Sequence, residues 1–426
     1  MMFESIKRQL NEIGCTMYEL TEVSRTAWEF YFIRHRLDQN RVVTTRTLEA
    51  KLYRLSEDGK TLGSASGSIH PTACEAETKK ALENLYAQAA LVKNPVYSLT
   101  DRPVTVEPSE PVDVEAIAKN FLTAMQSVQE TTTERINSYE IFVREVRKTF
   151  ENSNGVTYTV TYPDSMIEVV INASRDGHEI ELYRCFRSGV CDAEKLARDV
   201  SDALRFGKDR LSAQPTPKLG KADVIFSTED AAELYRYFGA RMMARLQFMK
   251  LSDWTPGTQI APYTTGDRIS VYAAAKLNNS SRSVPVDEEG ALIRERYLIR
   301  HGVAESVWGG RQMSEYLGAK DSSIVYNFVV SGGTATEAEL RTGDTLELVE
   351  FSDFQVDPVG GDLMGEIRLG YWHHDGKTEI ITGGSVSGQM QDVIPTMRCS
   401  KETEQYNTIV IPKFTRLNGL TITGIV

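Results

Sequence analysis

Two proline-rich stretches divide this chain of 426 residues and limit what it can fold into. Residues 101–113 contain Pro103, Pro108 and Pro111, and residues 212–221 contain two further prolines. Proline has no backbone N–H and clashes with the preceding helical turn, so neither stretch fits inside a helix or a central strand. The breaks predict three domains, which cover residues 1–100, 113–211 and 222–426.

The first two segments share one pattern, in which helices flank several strand-like runs. An Asp58-Gly59 pair between two such runs predicts a hairpin turn. Leu48, Ala50 and Leu52 alternate with polar residues, which indicates an antiparallel sheet with one buried face. The pattern predicts helices over residues 2–13, 73–90, 114–129 and 193–211.

The third segment begins with the strand-like residues 222–226 and continues with one long helix, predicted over residues 229–249. Ser227 and Asp230 suggest a capping box at its start. The opposite helix face carries Arg241 and Arg245, which we expect in solvent. The spacing of the apolar residues predicts a buried stripe along the helix, formed by Ala231, Tyr235, Phe238, Met242, Leu246 and Met249.

The rest of the third segment contains short strand-like runs and glycine turns. The fold class predicted for the whole chain is therefore α+β. Two N-terminal α+β segments with antiparallel sheets precede a β-rich C-terminal domain with one central helix.

Charge and hydropathy exclude several classes of function. The net charge is −11, from 59 acidic and 48 basic residues, and no basic stripe that would bind phosphates is present. No apolar run reaches the roughly 18 residues of a membrane span, and residues 1–15 contain no apolar leader core. We therefore expect a cytoplasmic protein without direct nucleic-acid or membrane contact. The five scattered cysteines are typical of reduced thiols.

The residues alone predict no metal ligand, no cofactor and no catalytic side chain. None of the six histidines has a partner at the helical spacing that two zinc ligands require. His178-Glu179 lacks a second histidine, and His373-His374 precede an Asp375-Gly376 turn, so their side chains should point to opposite sheet faces. The paired glycines precede no lysine-bearing helix, which excludes a phosphate loop and favours bulges and tight turns.

Cys399 is the one residue that retains a chemical interpretation. It lies in a polar loop, where Lys401 is expected to lower the pKa of its thiol and the thiol is expected to be exposed. One open alternative is a peptidase with a non-standard site, in which Cys399 acts as nucleophile with His301 or His374 as base.

Several segments together resemble the TldD/PmbA family, known as modulators of DNA gyrase and regarded as peptidase-related proteins. The resemblance covers essentially the whole chain. Its segments occur in the family's order: residues 41–66 with their hairpin, residues 152–174, residues 178–184, residues 361–394, and the closing strand LNGLTITGIV at residues 417–426.

The resemblance implies two subgroups. TldD-like members carry an HExxxH helix at the start of the third domain, whose histidines hold a catalytic zinc together with a later cysteine. PmbA/TldE-like members lack this signature and act as partners. Here the corresponding helix stretch reads RYFGARM, and Cys399 resembles the zinc cysteine. The resemblance therefore places a vestigial zinc-site region at Arg236, Tyr237, Arg241, Met242 and Cys399.

The leading hypothesis is a zinc-less PmbA/TldE-like subunit without catalytic residues. The resemblance implies a homo- or hetero-oligomer with a TldD-like subunit, and a peptide or unfolded protein as substrate. Arg241, Arg245 and Trp254 follow the vestigial site and are predicted to line a peptide-binding surface. The second alternative is a stand-alone, peptide-binding homo-oligomer.

Overall fold

The computed structural model describes residues 2–107, 109–319 and 321–426, so Pro108 of the first proline-rich stretch lies outside the described residues. The elements of the N-terminal half are α1 (Met2–Glu12), β1 (Met17–Ile33), β2 (Arg36–Leu55), β3 (Thr61–Ile69), α2 (Glu75–Ala89), β4 (Asn94–Pro95), α3 (Val114–Ser127), β5 (Glu134–Asn152), β6 (Thr157–Pro163), β7 (Ser165–Arg175), β8 (His178–Ser188) and α4 (Ala193–Ser212).

One antiparallel sheet runs through both N-terminal segments, with the strand order β4-β3-β2-β1-β5-β7-β8 and β6 paired to β5. The link between the segments is the pairing of β1 with β5, which extends from Glu19 to Ile33 on β1. The hairpin between β2 and β3 turns at Gly59, whose φ is +68°. The predicted hairpin is thus confirmed, whereas the predicted domain boundaries stay a prediction.

The four helices of this half cover the sheet in two groups. α1 and α2 pack against the buried face that contains Leu48, Ala50 and Leu52, as the alternation predicted. α3 and α4 pack over β5, β7 and β8, and their apolar cluster also includes Val349 and Leu369 from the C-terminal half. The α3–α4 layer therefore joins the two halves of the molecule.

The C-terminal half has many short elements: β9 (Gln214–Pro215), β10 (Gly220–Phe226), α5 (Ala232–Arg241), α6 (Ala244–Phe248), β11 (Ser270–Ala274), β12 (Arg296–Arg300), β13 (Val303–Ala304), α7 (Arg311–Tyr316), β14 (Asn327–Ser331), α8 (Glu337–Leu340), β15 (Thr345–Val356), β16 (Asp362–His374), β17 (Lys377–Thr382), β18 (Ser385–Gln389), α9 (Met390–Val393), β19 (Arg398–Cys399), β20 (Thr403–Tyr406), β21 (Ile409–Pro412) and β22 (Thr415–Thr423). Short 3₁₀ turns cover Glu229–Ala231 and Ile394–Thr396.

Two sheets organise this half. In the first, the order is β15-β10-β22-β18-β16-β17-β9. Because β15 also pairs with β16, the strands from β15 to β16 in this order close into a barrel-like ring, and β17 and β9 extend the sheet beyond it. The second sheet has the order β13-β12-β11-β14-β21-β20. α5 and residues from both sheets share one large apolar core. The predicted α+β class, with a β-rich C-terminal domain, is confirmed.

The second proline-rich stretch is partly structured. Gln214 and Pro215 form β9, which lies at the free edge of this sheet and pairs with Ile381 and Thr382 of β17. An edge position accommodates proline, because its missing N–H need not reach a neighbouring strand. This stretch is therefore tied to the C-terminal sheet and does not act as a free linker.

The long helix predicted over residues 229–249 is wrong in two respects. The helix breaks at Met243, whose backbone is extended and forms a parallel bridge with Trp308. Met242 is fully buried, but Met249 is half exposed, so the predicted stripe fails beyond the break. The start also differs, because Ser227 donates to Glu347 instead of capping the helix. Pairing with a distant segment overrides the local helical pattern.

None of the helices in the described ranges is both long enough and apolar enough to cross a membrane.

Candidate functional site

Cys399 lies in the core, in the short strand β19. It pairs with Thr415 of β22, and the exposed fraction of both residues is 0%. The prediction of an exposed thiol in a polar loop is therefore wrong. The neighbouring sequence is polar, but β19 is pinned to the barrel by this pairing, so the side chain of Cys399 points inward. Cysteine is among the residues most often buried in this way.

The helix side of the site is provided by Tyr235 on α5. Its phenol oxygen lies 3.2 Å from Cys399 Sγ and 2.6 Å from Thr415 Oγ1. All three side chains are buried, so a phenol, a thiol and a hydroxyl share one hydrogen-bonded cluster. The cluster connects α5, β19 and β22, which are far apart in the sequence. We call Tyr235, Cys399 and Thr415 the buried triad.

Burial keeps the triad uncharged at neutral pH. It raises the pKa of the Cys399 thiol to about 12 and holds the pKa of the Tyr235 phenol well above its usual value. Asp267, which lies close by, disfavours a thiolate, and its Oδ2 accepts the backbone N–H of Cys399 at 2.7 Å. The predicted lowering of this pKa by Lys401 is wrong, because Lys401 is exposed and the thiol is enclosed.

The surroundings of the triad are tightly filled. A side chain at Gly333 would place its Cβ 2.2 Å from the carbonyl oxygen of Ser400, so only glycine permits this close approach to β19. A cavity of about 20 Å³ lies nearby and is lined in part by Phe238, Asp267 and Met397. This space suits about one water molecule and not a peptide.

These residues do not fit a catalytic zinc ion. Such a site needs three protein donors from thiolate, imidazole or carboxylate groups, together with an open position for water. The triad offers one protonated thiol, a phenol and a hydroxyl. Throughout the described part of the chain, no group of three or more His, Cys, Asp or Glu side chains has metal-binding geometry.

The residues predicted to form the vestigial zinc-site region do not form one cluster in the structure. Arg236 is exposed and pairs with Glu233, Tyr237 packs edge-on against Trp254, and Met242 is fully buried. The residue that faces Cys399 is Tyr235, one position before the predicted segment. In the sequence, Tyr235 lies on the apolar stripe of this helix, a pattern that indicates core packing but does not show which residue the side chain contacts.

Two of the three residues predicted to line a peptide surface are instead buried together. Arg241 donates to the carbonyls of Leu251 and Val359 at 2.8 and 3.1 Å, and its guanidinium lies 5.3 Å from the Trp254 ring centroid. The expected solvent exposure of Arg241 is therefore wrong, and contact of this pair with a peptide stays a prediction. Arg245 is exposed, and its contact with a peptide stays a prediction.

The histidines considered as bases for Cys399 lie in other environments. His301 is exposed in a turn with φ of +48°, and His374 Nε2 lies 3.2 Å from Glu379 on the β16–β17 hairpin. In the described ranges, the side-chain hydrogen-bond partner of Cys399 Sγ is Tyr235. The β16–β17 hairpin itself, with its Asp375-Gly376 turn, is confirmed.

A larger cleft lies beside the residues that immediately precede α5, and the buried triad does not line it. It has a volume of about 760 Å³ and lies between α4 and the C-terminal half. Glu229 and Asp230 line this cleft, and the loss of hydration there raises the pKa of both carboxyls. The negative charge of Glu229 raises the pKa of Asp230 further, to about 6. The aromatic side chains along the cleft are Phe186, Phe206, Phe351, Tyr371, Tyr406 and Phe414.

Solved structures with this fold include proteins from three organisms. A candidate DNA gyrase modulator from Thermotoga maritima matches with a TM-score of 0.75 and 14% identity, over 99% of this chain and 100% of its own. TldE from Thermococcus kodakarensis matches with a TM-score of 0.74 and 14% identity, over 99% of this chain and 100% of its own. A candidate DNA gyrase modulator from Bacteroides thetaiotaomicron matches with a TM-score of 0.76 and 14% identity, over 99% of this chain and 98% of its own.

At this identity the structural matches establish the fold alone. No curated protein matches the chain significantly. Residues 219–424 match the family described as the PmbA/TldA metallopeptidase C-terminal domain. This range contains α5, β19 and β22, and hence the whole buried triad. The C-terminal half of the chain therefore belongs to the TldD/PmbA family, and the chain has a metallopeptidase-related fold.

Proposed function

We propose that this protein is a zinc-less, PmbA/TldE-like subunit that assists a catalytic homologue in peptide processing or proteolysis in the cytoplasm. The observation that carries the proposal is the buried triad. Where a catalytic relative needs a thiolate and two imidazoles around a metal, this chain has a protonated thiol whose partner is the phenol of Tyr235. The family membership supplies the link to peptides.

The same observation argues against a cysteine peptidase. A nucleophilic cysteine reacts as a thiolate and is activated by a nearby base. Cys399 is fully buried, its pKa is about 12, and its hydrogen-bond partner is another weak acid. Each of these properties lowers the reactivity of the thiol at neutral pH.

A complementation assay tests the proposal. The purified chain alone should not hydrolyse unfolded peptides, and addition of an HExxxH-bearing homologue from the same cell should give hydrolysis above that of the homologue alone. Cys399→Ser should support the same hydrolysis, because the thiol has no chemical role. Turnover by the lone chain that disappears in Cys399→Ser would refute the proposal.

We place peptide contact in the 760 Å³ cleft. Its volume is within the range of ligand pockets, and its aromatic side chains provide apolar contact area. The carboxyl groups of Glu229 and Asp230 make no ion pair within the described residues. A basic group on the peptide would stabilise the charged forms of these two carboxyls.

Fluorescence anisotropy with labelled unfolded peptides tests this placement. Asp230→Asn should weaken binding of lysine-containing peptides, while the matched control Asp344→Asn, at an exposed position outside the cleft, should bind as the unmodified chain does. Equal affinity in the two variants would show that peptides bind elsewhere.

A further inference from the structure

The cleft of 760 Å³ continues into a second cavity along α4. The second cavity has a volume of about 250 Å³, and residues from the first turns of α4 and from the β20–β21 hairpin line it. The two cavities meet, because they share the lining residues Phe186, Arg198, Asp199, Glu229, Glu404 and Tyr406. We call this shared region the junction.

The junction already holds one ammonium group, which belongs to the chain itself. Lys195 on α4 places its Nζ 2.6 Å from Asp199 Oδ2 and 3.4 Å from Glu404 Oε1. The same Nζ lies 4.9 Å from the ring centroid of Tyr406, within the range of a cation–π contact. The side chain of Lys195 is 17% exposed, so carboxylates and an aromatic ring replace most of its hydration. The walls of the junction thus provide the contacts that an alkylammonium group needs.

Negative charge remains in excess around the junction. The cations that face Glu229 and Asp230 serve other carboxylates, in the pairs Arg236–Glu233, Arg184–Glu350 and Lys195–Asp199. Along the whole cleft, eight Asp and Glu side chains lie among five Lys and Arg side chains. This excess favours a cationic ligand.

The arrangement of the carboxyls favours an ammonium group over a guanidinium group. The acids of the junction come from three separate elements, which are α4, the turn before α5, and β20. A compact ammonium has three donors and can bridge such acids, whereas a planar guanidinium pairs best with one carboxylate in its own plane. The rings of Phe186 and Tyr406 offer apolar area to the methylene chain that carries the ammonium.

We propose that the junction is a lysine-specific subsite, in which the ammonium of a peptide lysine binds to Glu229 and Asp230 while Lys195 holds Asp199 and Glu404. Because the junction lies between two cavities, the residues before and after that lysine occupy one cavity each. The ligand class is therefore a peptide with an internal lysine. This inference rests on the proposed function, since it specifies which peptides the cleft takes.

Recognition by these carboxyls should depend on pH. Burial and the charge of Glu229 raise the pKa of Asp230 to about 6, and burial raises the pKa of Glu229. A lysine ammonium, with an ordinary pKa of about 10.4, stays charged over this range. Binding should therefore tighten as the pH rises through the pKa of Asp230. The charged groups that face the two carboxyls are Arg184 on β8, Lys195 and Asp199 on α4, and Glu233 and Arg236 on α5.

Fluorescence anisotropy of the full-length chain with matched labelled peptides tests the subsite. The peptides carry lysine, arginine or Nε-acetyl-lysine at one central position between apolar residues. The lysine peptide should bind at least about tenfold more tightly than the acetyl-lysine peptide, and more tightly than the arginine peptide. Moving the lysine to either end should weaken binding, because one cavity then stays empty.

The pH dependence gives a second readout on the unmodified chain. A carboxyl with a pKa of about 6 is about one-tenth charged at pH 5 and about nine-tenths charged at pH 7, so the lysine peptide should bind about tenfold more tightly at pH 7. The acetyl-lysine peptide should change by less than about twofold. This peptide controls for the titration of other groups in the cleft, such as His373.

Variants separate the junction from the rest of the cleft. Asp230→Asn should weaken binding of the lysine peptide at least about fivefold and leave the acetyl-lysine peptide unaffected. The matched control is Glu337→Gln, which removes a carboxyl of the same cleft outside the junction and should change neither affinity.

The outcomes distinguish the subsite from the proposed function. Equal affinity for the lysine peptide and for either the arginine or the acetyl-lysine peptide would overturn the subsite, as would equal losses in Asp230→Asn and Glu337→Gln. The proposed function would still stand if the chain supports hydrolysis by its homologue. Absence of binding by every peptide would overturn both the subsite and the placement of peptides in the cleft.

Discussion

A buried acid between the two halves of the molecule should make its stability depend on pH. Glu19 on β1 is 7% exposed and accepts a hydrogen bond from Tyr53 at 2.7 Å. Lys51 lies 3.7 Å from Glu19 and 3.9 Å from Glu289 of the C-terminal half. Burial raises the pKa of Glu19 from 4.5 to about 7, because Lys51 compensates only part of the lost hydration.

The sign and the size of the effect follow from this pKa. The folded state binds the proton more tightly than the unfolded state, so the stabilisation is complete below about pH 4.5 and is lost as the pH rises to about 7. Each tenfold change in proton affinity is worth about 1.4 kcal/mol. The difference between 4.5 and about 7 therefore corresponds to about 3 kcal/mol.

Glu19→Gln removes the charge and keeps an acceptor for Tyr53. We expect the variant and the unmodified chain to have the same free energy of unfolding, within a few tenths of a kcal/mol, near pH 4. Near pH 8 the variant should be more stable by up to about 3 kcal/mol. Urea unfolding followed by circular dichroism over this pH range measures the difference.

Glu49→Gln on the neighbouring strand is the matched control. Glu49 is exposed, so its replacement should change the free energy of unfolding by less than about 0.5 kcal/mol at every pH. If the advantage of Glu19→Gln does not grow between about pH 4 and pH 8, the burial argument is refuted.

Three further predictions concern the C-terminal half. Tyr235→Phe removes the phenol oxygen that lies 2.6 Å from the hydroxyl of Thr415 and should lower the free energy of unfolding by about 1–3 kcal/mol. Urea unfolding measures this change, and an unchanged free energy of unfolding would show that the buried triad does not stabilise the fold. Cys399 should react with a thiol reagent only after unfolding, whereas the exposed Cys74 should react in the folded protein. Labelling followed by peptide mass spectrometry measures both reactions, and rapid labelling of Cys399 in the folded protein would contradict its burial. Arg241→Ala should destabilise by about 1–3 kcal/mol in the same unfolding assay, because partly buried carbonyls lose their donor and the Trp254 ring loses its cation. Arg245→Ala should have an effect below about 0.5 kcal/mol, and equal effects of the two variants would contradict the placement of Arg241.

The local patterns of the sequence predicted much of the fold. The four helices of the N-terminal half, the hairpins at Gly59 and at Asp375-Gly376, and the buried alternation of β2 were confirmed, because propensity, turn chemistry and burial agree there. The break at Met243 was not predictable in this way, since it depends on a bridge to Trp308. Contacts between distant segments leave no periodic signal in either segment.

The candidate site shows the same limit more strongly. The resemblance identified Cys399 and the helix, but it did not identify Tyr235 as the residue that faces the thiol. These two residues are 164 positions apart, and their contact depends on how β19 joins β22. The burial of Arg241 depends on carbonyl groups of Leu251 and Val359, which the charge pattern of the helix does not show.

The most direct test of the central claim is the zinc content of the purified full-length chain. Elemental analysis by plasma mass spectrometry, after incubation with zinc and removal of free metal, should give far less than one zinc per chain, with the same value for Cys399→Ser. One tightly bound zinc per chain that is lost in Cys399→Ser would contradict the claim that the buried triad takes the place of a metal site.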